Sequence, residues 1–278
     1  MTMLRVMTYN ILEGANDRLD VVASVVRAAD PDVLGVTEAN GFEDPKRLKE
    51  VEKAFGMKGV VGHAKSGFHV AIFTKPAWTV EASGSEFYPF FHAALWAKLR
   101  FDKDRHFTAV VAHLNPFSPD ERLAEVRALC RHAAPKERAV LMGDFNCMAP
   151  GDEIDQSVLE LPRNILARFI KEAGDPVEFD RREIALAEWA GFVDVYRKMV
   201  PKKPGWTLMT TRFGAALRSR MRIDYMLATP GMSKRATSSE VIETNESRRA
   251  SDHYPLMATF DMRGMGTGKS EKWIPLEK

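Results

Sequence analysis

The tightest constraint in this 278-residue chain is the tetrapeptide Gly143-Asp144-Phe145-Asn146, directly after the apolar run Ala139-Val140-Leu141-Met142. Four consecutive apolar residues fit a strand buried on both faces, so layers must pack above and below it. The glycine is expected to let the backbone leave the sheet without strain. Along an extended path Asp144 and Asn146 point one way and Phe145 the other. A carboxylate and an amide are then presented together at a strand end, where α/β proteins build their sites. Asp and Asn also crowd into ordinary turns, so the tetrapeptide needs company before it reads as chemistry.

That company is spread along the chain. Leu4 to Asn10 reads as a strand with a polar end, and Val22, Val25, Val26 and Ala29 follow at helical spacing until Asp30-Pro31 stops them. Val33 to Glu38 is a second strand, ending in a carboxylate. The next helix has Pro45 in its first turn, turns Leu48, Val51 and Phe55 inward, and stops at Gly56. From about Lys58 to Val111 short strands replace the helical period: Val70 to Phe73, Ala93 to Phe101, and Phe107 to Ala112, the last running into His113-Leu114-Asn115. Ser118-Pro119-Asp120-Glu121 is a capping box that opens a helix with Leu123, Val126 and Cys130 on one face. A helical stretch is expected through Leu159, Ile165, Leu166, Phe169 and Ile170, and a further helix from about Arg182 to Ala190. Arg222 to Leu227 reads as a strand with Asp224 inside it, and Ser251-Asp252-His253 precedes a last strand, Leu256 to Asp261.

Composition narrows the class without naming a partner. A chain with 45% hydrophobic and 28% charged residues is an ordinary globular protein. Its 40 basic residues against 38 acidic ones leave +2, too near neutral to announce a polyanion. Cys130 and Cys147 make no disulfide framework, the N-terminus lacks a signal peptide, and no uncharged apolar run could span a bilayer. The expectation is a cytoplasmic protein with no membrane span and no obligate protein partner. No linker or solenoid repeat divides it, so residues 1–262 are expected to form one catalytic domain and 263–278 a loose tail. Gly264 to Ser270 imitates a phosphate-binding loop but has Arg263 where the first glycine belongs, and too little chain follows to form the helix.

Six segments thus offer polar residues at or near strand ends: Asn10; Glu38; His113 with Asn115; Asp144 with Asn146; Asp224; and Asp252 with His253. Hydrolysis of a phosphate ester needs anionic oxygens neutralised, water activated in line with the leaving group, and that group stabilised. Carboxylates without clustered Cys or His make a hard oxygen site suited to Mg²⁺ or Mn²⁺. His and Asp supply proton transfer.

Together the segments resemble the endonuclease/exonuclease/phosphatase superfamily with its DNase I-like fold. Thr8-Tyr9-Asn10, Thr37-Glu38, Ala112-His113-Leu114, Gly143-Asp144-Phe145-Asn146, Arg222-Ile223-Asp224-Tyr225 and Ser251-Asp252-His253 stand in family order over nearly the whole chain. The resemblance implies an α/β four-layer sandwich: two mostly antiparallel β-sheets face to face, with helices on both outer sides. It implies a metal held by Glu38, Asn10 and Asp252, water activated by Asp144, and a phosphate oxygen held by Asn146. His253 would touch the phosphate with its tautomer fixed by Asp224, and His113 would assist the leaving group. Asn115 and Arg222 are expected to contact substrate. The acidic residue that many members carry two places after the first Asn is Leu12 here, with Glu13 shifted by one.

The implied reaction is metal-dependent hydrolysis of a phosphodiester from a nucleic acid, a nucleotide or a lipid headgroup. The alternatives are a phosphomonoesterase on the same site and a catalytically silent phosphate-binding module. Two surface features bear on the choice. Arg212, Arg218, Arg220 and Arg222, with Trp206 and Phe213, could wall an anionic substrate or form a solvated loop. Phe87 to His92 is either core edge or an apolar lip for a lipid or a base.

Overall fold

The computed structural model describes residues 3–101, 105–132, 138–174, 176–208 and 219–264. Two six-stranded sheets dominate it. The first is built from β1 (Met3–Asn10), β2 (Val33–Thr37), β3 (Lys58–Gly62) and β4 (Val70–Thr74), with β13 (Ala236–Val241) and β14 (Leu256–Asp261). Its order is β13-β14-β1-β2-β4-β3. The second contains β5 (Thr79–Glu86), β6 (Ala93–Arg100), β7 (His106–His113) and β8 (Ala139–Asp144), with β11 (Val193–Asp194) and β12 (Asp224–Ala228). Its order is β11-β12-β8-β7-β6-β5. A small ribbon of β9 (Ile170–Glu172) and β10 (Glu178–Phe179) stands apart. Among the described residues only β1/β2 and β7/β8 run parallel, and each such pair is bridged by a helix, as parallel neighbours require.

Those bridging helices are α1 (Leu19–Ala29) and, after α2 (Pro45–Phe55), α3 (Pro119–His132). The cap signals act as read: the Asp44 carboxylate accepts from the Lys46 N–H at 2.9 Å, and Gly56 closes α2 in the left-handed region. Alternation along the strands sorts the chain into layers. Leu4 and Val6 of β1 meet Val111, Met142 and Met226 of the second sheet between the sheets. Met7 and Tyr9 face the other way, onto Val22, Val26, Val51 and Phe55 of the helices. On the far side, Val110, Leu141 and Leu227 pack against Val126 and Leu129 of α3. The expected sandwich, helices outside and sheets inside, is the observed one.

Several expectations are corrected. The helical stretch after β8 is two single turns, α4 (Gln156–Leu159) and α5 (Arg163–Leu166), because Pro162 interrupts it, and Leu159 is exposed. α6 (Arg182–Trp189) forms as read. Three short helices, α7 (Val195–Met199), α8 (Pro230–Ser233) and α9 (Ser247–Ala250), carry too few residues to show a period. Asp224 opens β12 rather than lying within it. Gly143 does not mark an exit from the sheet, since it is paired inside β8 with φ of 136°. It is needed for close approach, because a Cβ there would lie 1.9 Å from the Ala112 carbonyl oxygen.

Arg222 is also reassigned. Its buried guanidinium pairs with Asp152 at 2.9 Å and Asp194 at 2.5 Å and lies over the Tyr225 ring at 4.6 Å. That places it in the scaffold under the β12 edge rather than at a substrate. Arg212, Phe213 and Arg218, and the tail beyond Gly264, lie outside the described residues.

Three substitutions test this packing by urea unfolding. Gly143→Ala should cost on the order of 3 kcal/mol through clash and strain, whereas Gly41→Ala, with φ of 82° and open space around it, should cost about 1 kcal/mol. Equal midpoints for the two would contradict the close-approach argument. Arg222→Ala should cost about 3–5 kcal/mol, because it leaves two buried carboxylates unpaired. A loss below about 1 kcal/mol would return Arg222 to the surface.

Candidate active site

Period-two geometry assembles the site from strand ends. Register sets His113 of β7 beside Asp144 of β8, and Asp144 beside Asp224 of β12. Each lies two residues from a side chain that points between the sheets: Val111, Met142 and Met226. The three polar groups therefore form a row on the inner face of the second sheet. Asn10, in phase with Leu4 and Val6, faces that row from the first sheet.

Contact across the gap is direct. The Asn10 amide nitrogen donates to Asp144 Oδ2 at 3.1 Å and to Glu38 Oε1 at 3.0 Å. Glu38 Oε2 accepts from the Glu13 N–H at 2.8 Å. Leu12, Glu13 and Glu38 all adopt positive φ, at 54°, 51° and 55°. Such strain in non-glycine residues costs on the order of 1–3 kcal/mol each and persists only where the surroundings hold it. Glu13 thus serves the site through its backbone.

His253 arrives from the turn before β14. The Ser251 hydroxyl donates to the Asn10 carbonyl at 2.7 Å and accepts from the His253 N–H at 3.3 Å, which ties this turn to β1. His253 Nδ1 lies 2.7 Å from Asp224 Oδ2, and its Nε2 3.8 Å from Asp144 Oδ2. Asp252 is partly exposed and accepts from the Ser251 hydroxyl at 3.2 Å.

The electrostatics separate these groups. Burial, seconded by the Asp224 charge, pushes Asp144 up to about 7 against the pull of His253 and the Asn146 and Asn10 donors. Burial opposes a charged His253, but Asp224, Asp252 and Asp144 together outweigh it and hold the imidazole well above its usual range. His113 goes the other way: burial, then His92 and His253, keep it well below its usual range and neutral. Burial raises Glu38, and Asp252 adds to the rise.

The remaining sequence candidates are buried and bonded within the protein. Asn146 does not continue an extended path: its φ is 50°, its N–H donates to Asp144 Oδ1 at 2.9 Å, and its amide nitrogen donates to the Leu114 carbonyl at 3.0 Å. Asn115 is committed to its own loop. Its Oδ1 accepts from the N–H groups of Phe117 at 2.7 Å and Ser118 at 3.0 Å, and its amide nitrogen donates to Glu121. Arg222 stays in its buried pairs.

Sequence reading missed His92, which stacks on His113 with centroids 4.2 Å apart and has Ser66 Oγ 2.7 Å from its Nδ1. Its position beside the exposed Phe91 was the available signal. The segment from Phe87 to His92 divides: Phe90 and His92 are buried, while Phe87, Tyr88 and Phe91 are exposed.

A divalent cation suits the donors present. Asp224 Oδ1 is buried without a hydrogen-bond partner, and Glu38 carries a charge disfavoured where it stands. Ligand atoms of Asp144, Asp224 and His253 lie within 4.8 Å of one another, although the last two are already bonded together. The oxygen-rich set at Glu38, Asn10 and Asp252 keeps the hard character that such an ion needs.

The same architecture recurs in solved structures. An AP endonuclease from Archaeoglobus fulgidus superposes with a TM-score of 0.72 at 21% identity, covering 93% of this chain and 99% of that one. TDP2 from D. rerio, solved with a single-strand DNA product, gives 0.68 at 17% identity over 94% and 100%. A mannosyl-6-phosphatase from Bacteroides thetaiotaomicron gives 0.62 at 18% identity over 92% and 98%. At these identities the likeness is one of fold. Among curated proteins, none matches the sequence. The model of the Endonuclease/Exonuclease/phosphatase family matches residues 7–253, and the chain belongs to that family, whose members are metal-dependent phosphoesterases.

Proposed function

We propose that the protein hydrolyses a phosphodiester by in-line attack of an activated water, with a Mg²⁺ or Mn²⁺ ion held by Glu38, Asn10 and Asp252. When bound, the ion would neutralise phosphate oxygens and draw charge from the reacting ester. The observation that carries this reading is the row His113–Asp144–Asp224, closed by His253 and facing Asn10 and Glu38.

Each protein group has a part that its surroundings allow. Asp144, raised to about 7, takes the proton of the attacking water near neutral pH. His253 presents a charged N–H to a phosphate oxygen, with Asp224 fixing the ring through Nδ1. His113, kept neutral, contributes a ring nitrogen on the leaving-group side, and its Nδ1 is buried without a partner. An amide has two hydrogens to donate, so Asn146 keeps one for a phosphate oxygen after bonding Leu114.

A diester fits better than a monoester on charge. With Arg222 locked away, His253 is the cation that the bonded cluster itself supplies. A monoanionic diester asks less of it than a dianionic monoester. That structures of this fold include an AP endonuclease, a TDP2 bound to single-strand DNA product and a mannosyl-6-phosphatase shows how widely one fold is used, so substrate must be measured.

The test is turnover of bis-p-nitrophenyl phosphate and p-nitrophenyl phosphate with Mg²⁺ or Mn²⁺. The diester should be preferred, EDTA should abolish turnover, and Asp144→Asn and His253→Ala should each lower kcat by about 10²–10⁴-fold. Preference for the monoester would make the protein a phosphatase. Absence of turnover on these and on natural diesters, with Mn²⁺ still bound, would make it a binding module.

A further inference from the structure

We propose that Phe91, Phe117 and Arg168 form a stacking subsite for the nucleobase of a nucleoside phosphodiester, beside His113. The proposal deepens the phosphodiesterase reading and rests on it. Aromatic contacts run outward from the site without a break. His92 stacks on His113 at 4.2 Å, Phe91 meets His92 edge-on at 4.8 Å, and Phe117 meets Phe91 edge-on at 5.5 Å. The first two rings are buried, whereas Phe91 is 41% exposed and Phe117 52%. Arg168 lays its guanidinium over the Phe117 ring at 5.0 Å. An exposed ring with a planar cation beside it is what a base stacks on, whatever its sequence.

Exposed aromatics alone would carry little weight, but buried charges hold these in place. One Glu125 carboxylate, on α3, accepts from the Phe91 N–H at 2.6 Å and the Asn115 N–H at 2.8 Å. Arg122, one turn earlier and fully buried, donates to the Asn115 carbonyl at 3.1 Å, the Arg168 carbonyl at 2.6 Å and the Glu183 carboxylate at 3.0 Å. Asn115 in turn holds the Phe117 N–H. Three separate segments, each carrying one member of the subsite, are thus tied to a single helix by buried polar groups whose hydrogen bonds are costly to lose.

The occupant follows from charge and continuity. A base on these rings would belong to the same molecule as the phosphate beside His113, since the ring contacts run from one to the other. The exposed Glu121 carboxylate borders the Phe117 loop, and only Arg168 among the subsite's members is cationic. A surface of anionic lipid headgroups would meet repulsion there, whereas an uncharged planar base does not.

The experiment measures binding in the full chain carrying Asp144→Asn, with Mn²⁺ present. Fluorescence anisotropy compares oligothymidylate with an abasic deoxyribose-phosphate oligomer of the same length. Oligothymidylate should bind at least about tenfold more tightly, as expected for one stacked base. Phe91→Ala and Phe117→Ala should each shrink that ratio, and Phe117→Trp should retain it. Unfolding midpoints confirm that the variants are folded. Equal affinity for both oligomers, or a ratio that survives the alanine variants, would overturn the proposal. So would binding to phosphatidylcholine vesicles that the alanine variants abolish, which would give the rings to a membrane. Base-dependent binding in a protein that hydrolyses no diester would sink the phosphodiesterase reading and leave the subsite standing.

Discussion

One side-chain amide joins the two sheets where chemistry can occur. Asn10 donates to Glu38 at the end of a neighbouring strand and to Asp144 at the end of a strand in the opposite sheet. Two carboxylates can share one donor only if the sheets meet with their strand ends level. The packing between them sets that alignment: Gly35 has no side chain, and Met142 fills the space above it. The Ser251 hydroxyl then fastens the His253 turn to the same residue's carbonyl. The site is therefore a property of sheet stacking, and its precision derives from a dry, close-packed core.

Charge explains the division of labour within it. Burial makes ionised carboxylates expensive, so each must find a partner or hold its proton. Asp224 finds His253, whose positive charge it stabilises. Asp144 has no full partner and is left poised near neutrality. Glu38 has an amide and a backbone N–H but no cation, which is the shortage that a divalent ion would relieve. Arg222, two residues before Asp224, is neutralised by Asp152 and Asp194.

Much of this was legible in the sequence. Each of the six motifs ends or adjoins a strand, and alternation along β1, β7 and β8 correctly turns Asn10, His113 and Asp144 toward one another. Long-range register was not legible. That His113, Asp144 and Asp224 stand side by side depends on which strands pair, and no local pattern reports that. Arg222 shared a tetrapeptide with Asp224 and so looked functional, but it precedes β12 and its guanidinium is bound by Asp152 and Asp194, which no local pattern announces. Arg122 and Glu125 read as the polar side of α3, since a helical pattern marks apolar residues inward and gives no sign of buried charges bonded to distant backbone. Asn146 and Glu38 looked extended because positive φ in a non-glycine residue is imposed by tertiary contacts.

On the proposed reading, a metal ion belongs at the oxygen donors of Glu38 rather than at the His253 pair. Crystals grown with Mn²⁺ and measured near the manganese absorption edge would locate it directly. The account requires the strongest anomalous peak against the Glu38 carboxylate, and its loss in Glu38→Gln. A peak enclosed by Asp144, Asp224 and His253, or one that persists in Glu38→Gln, would contradict it.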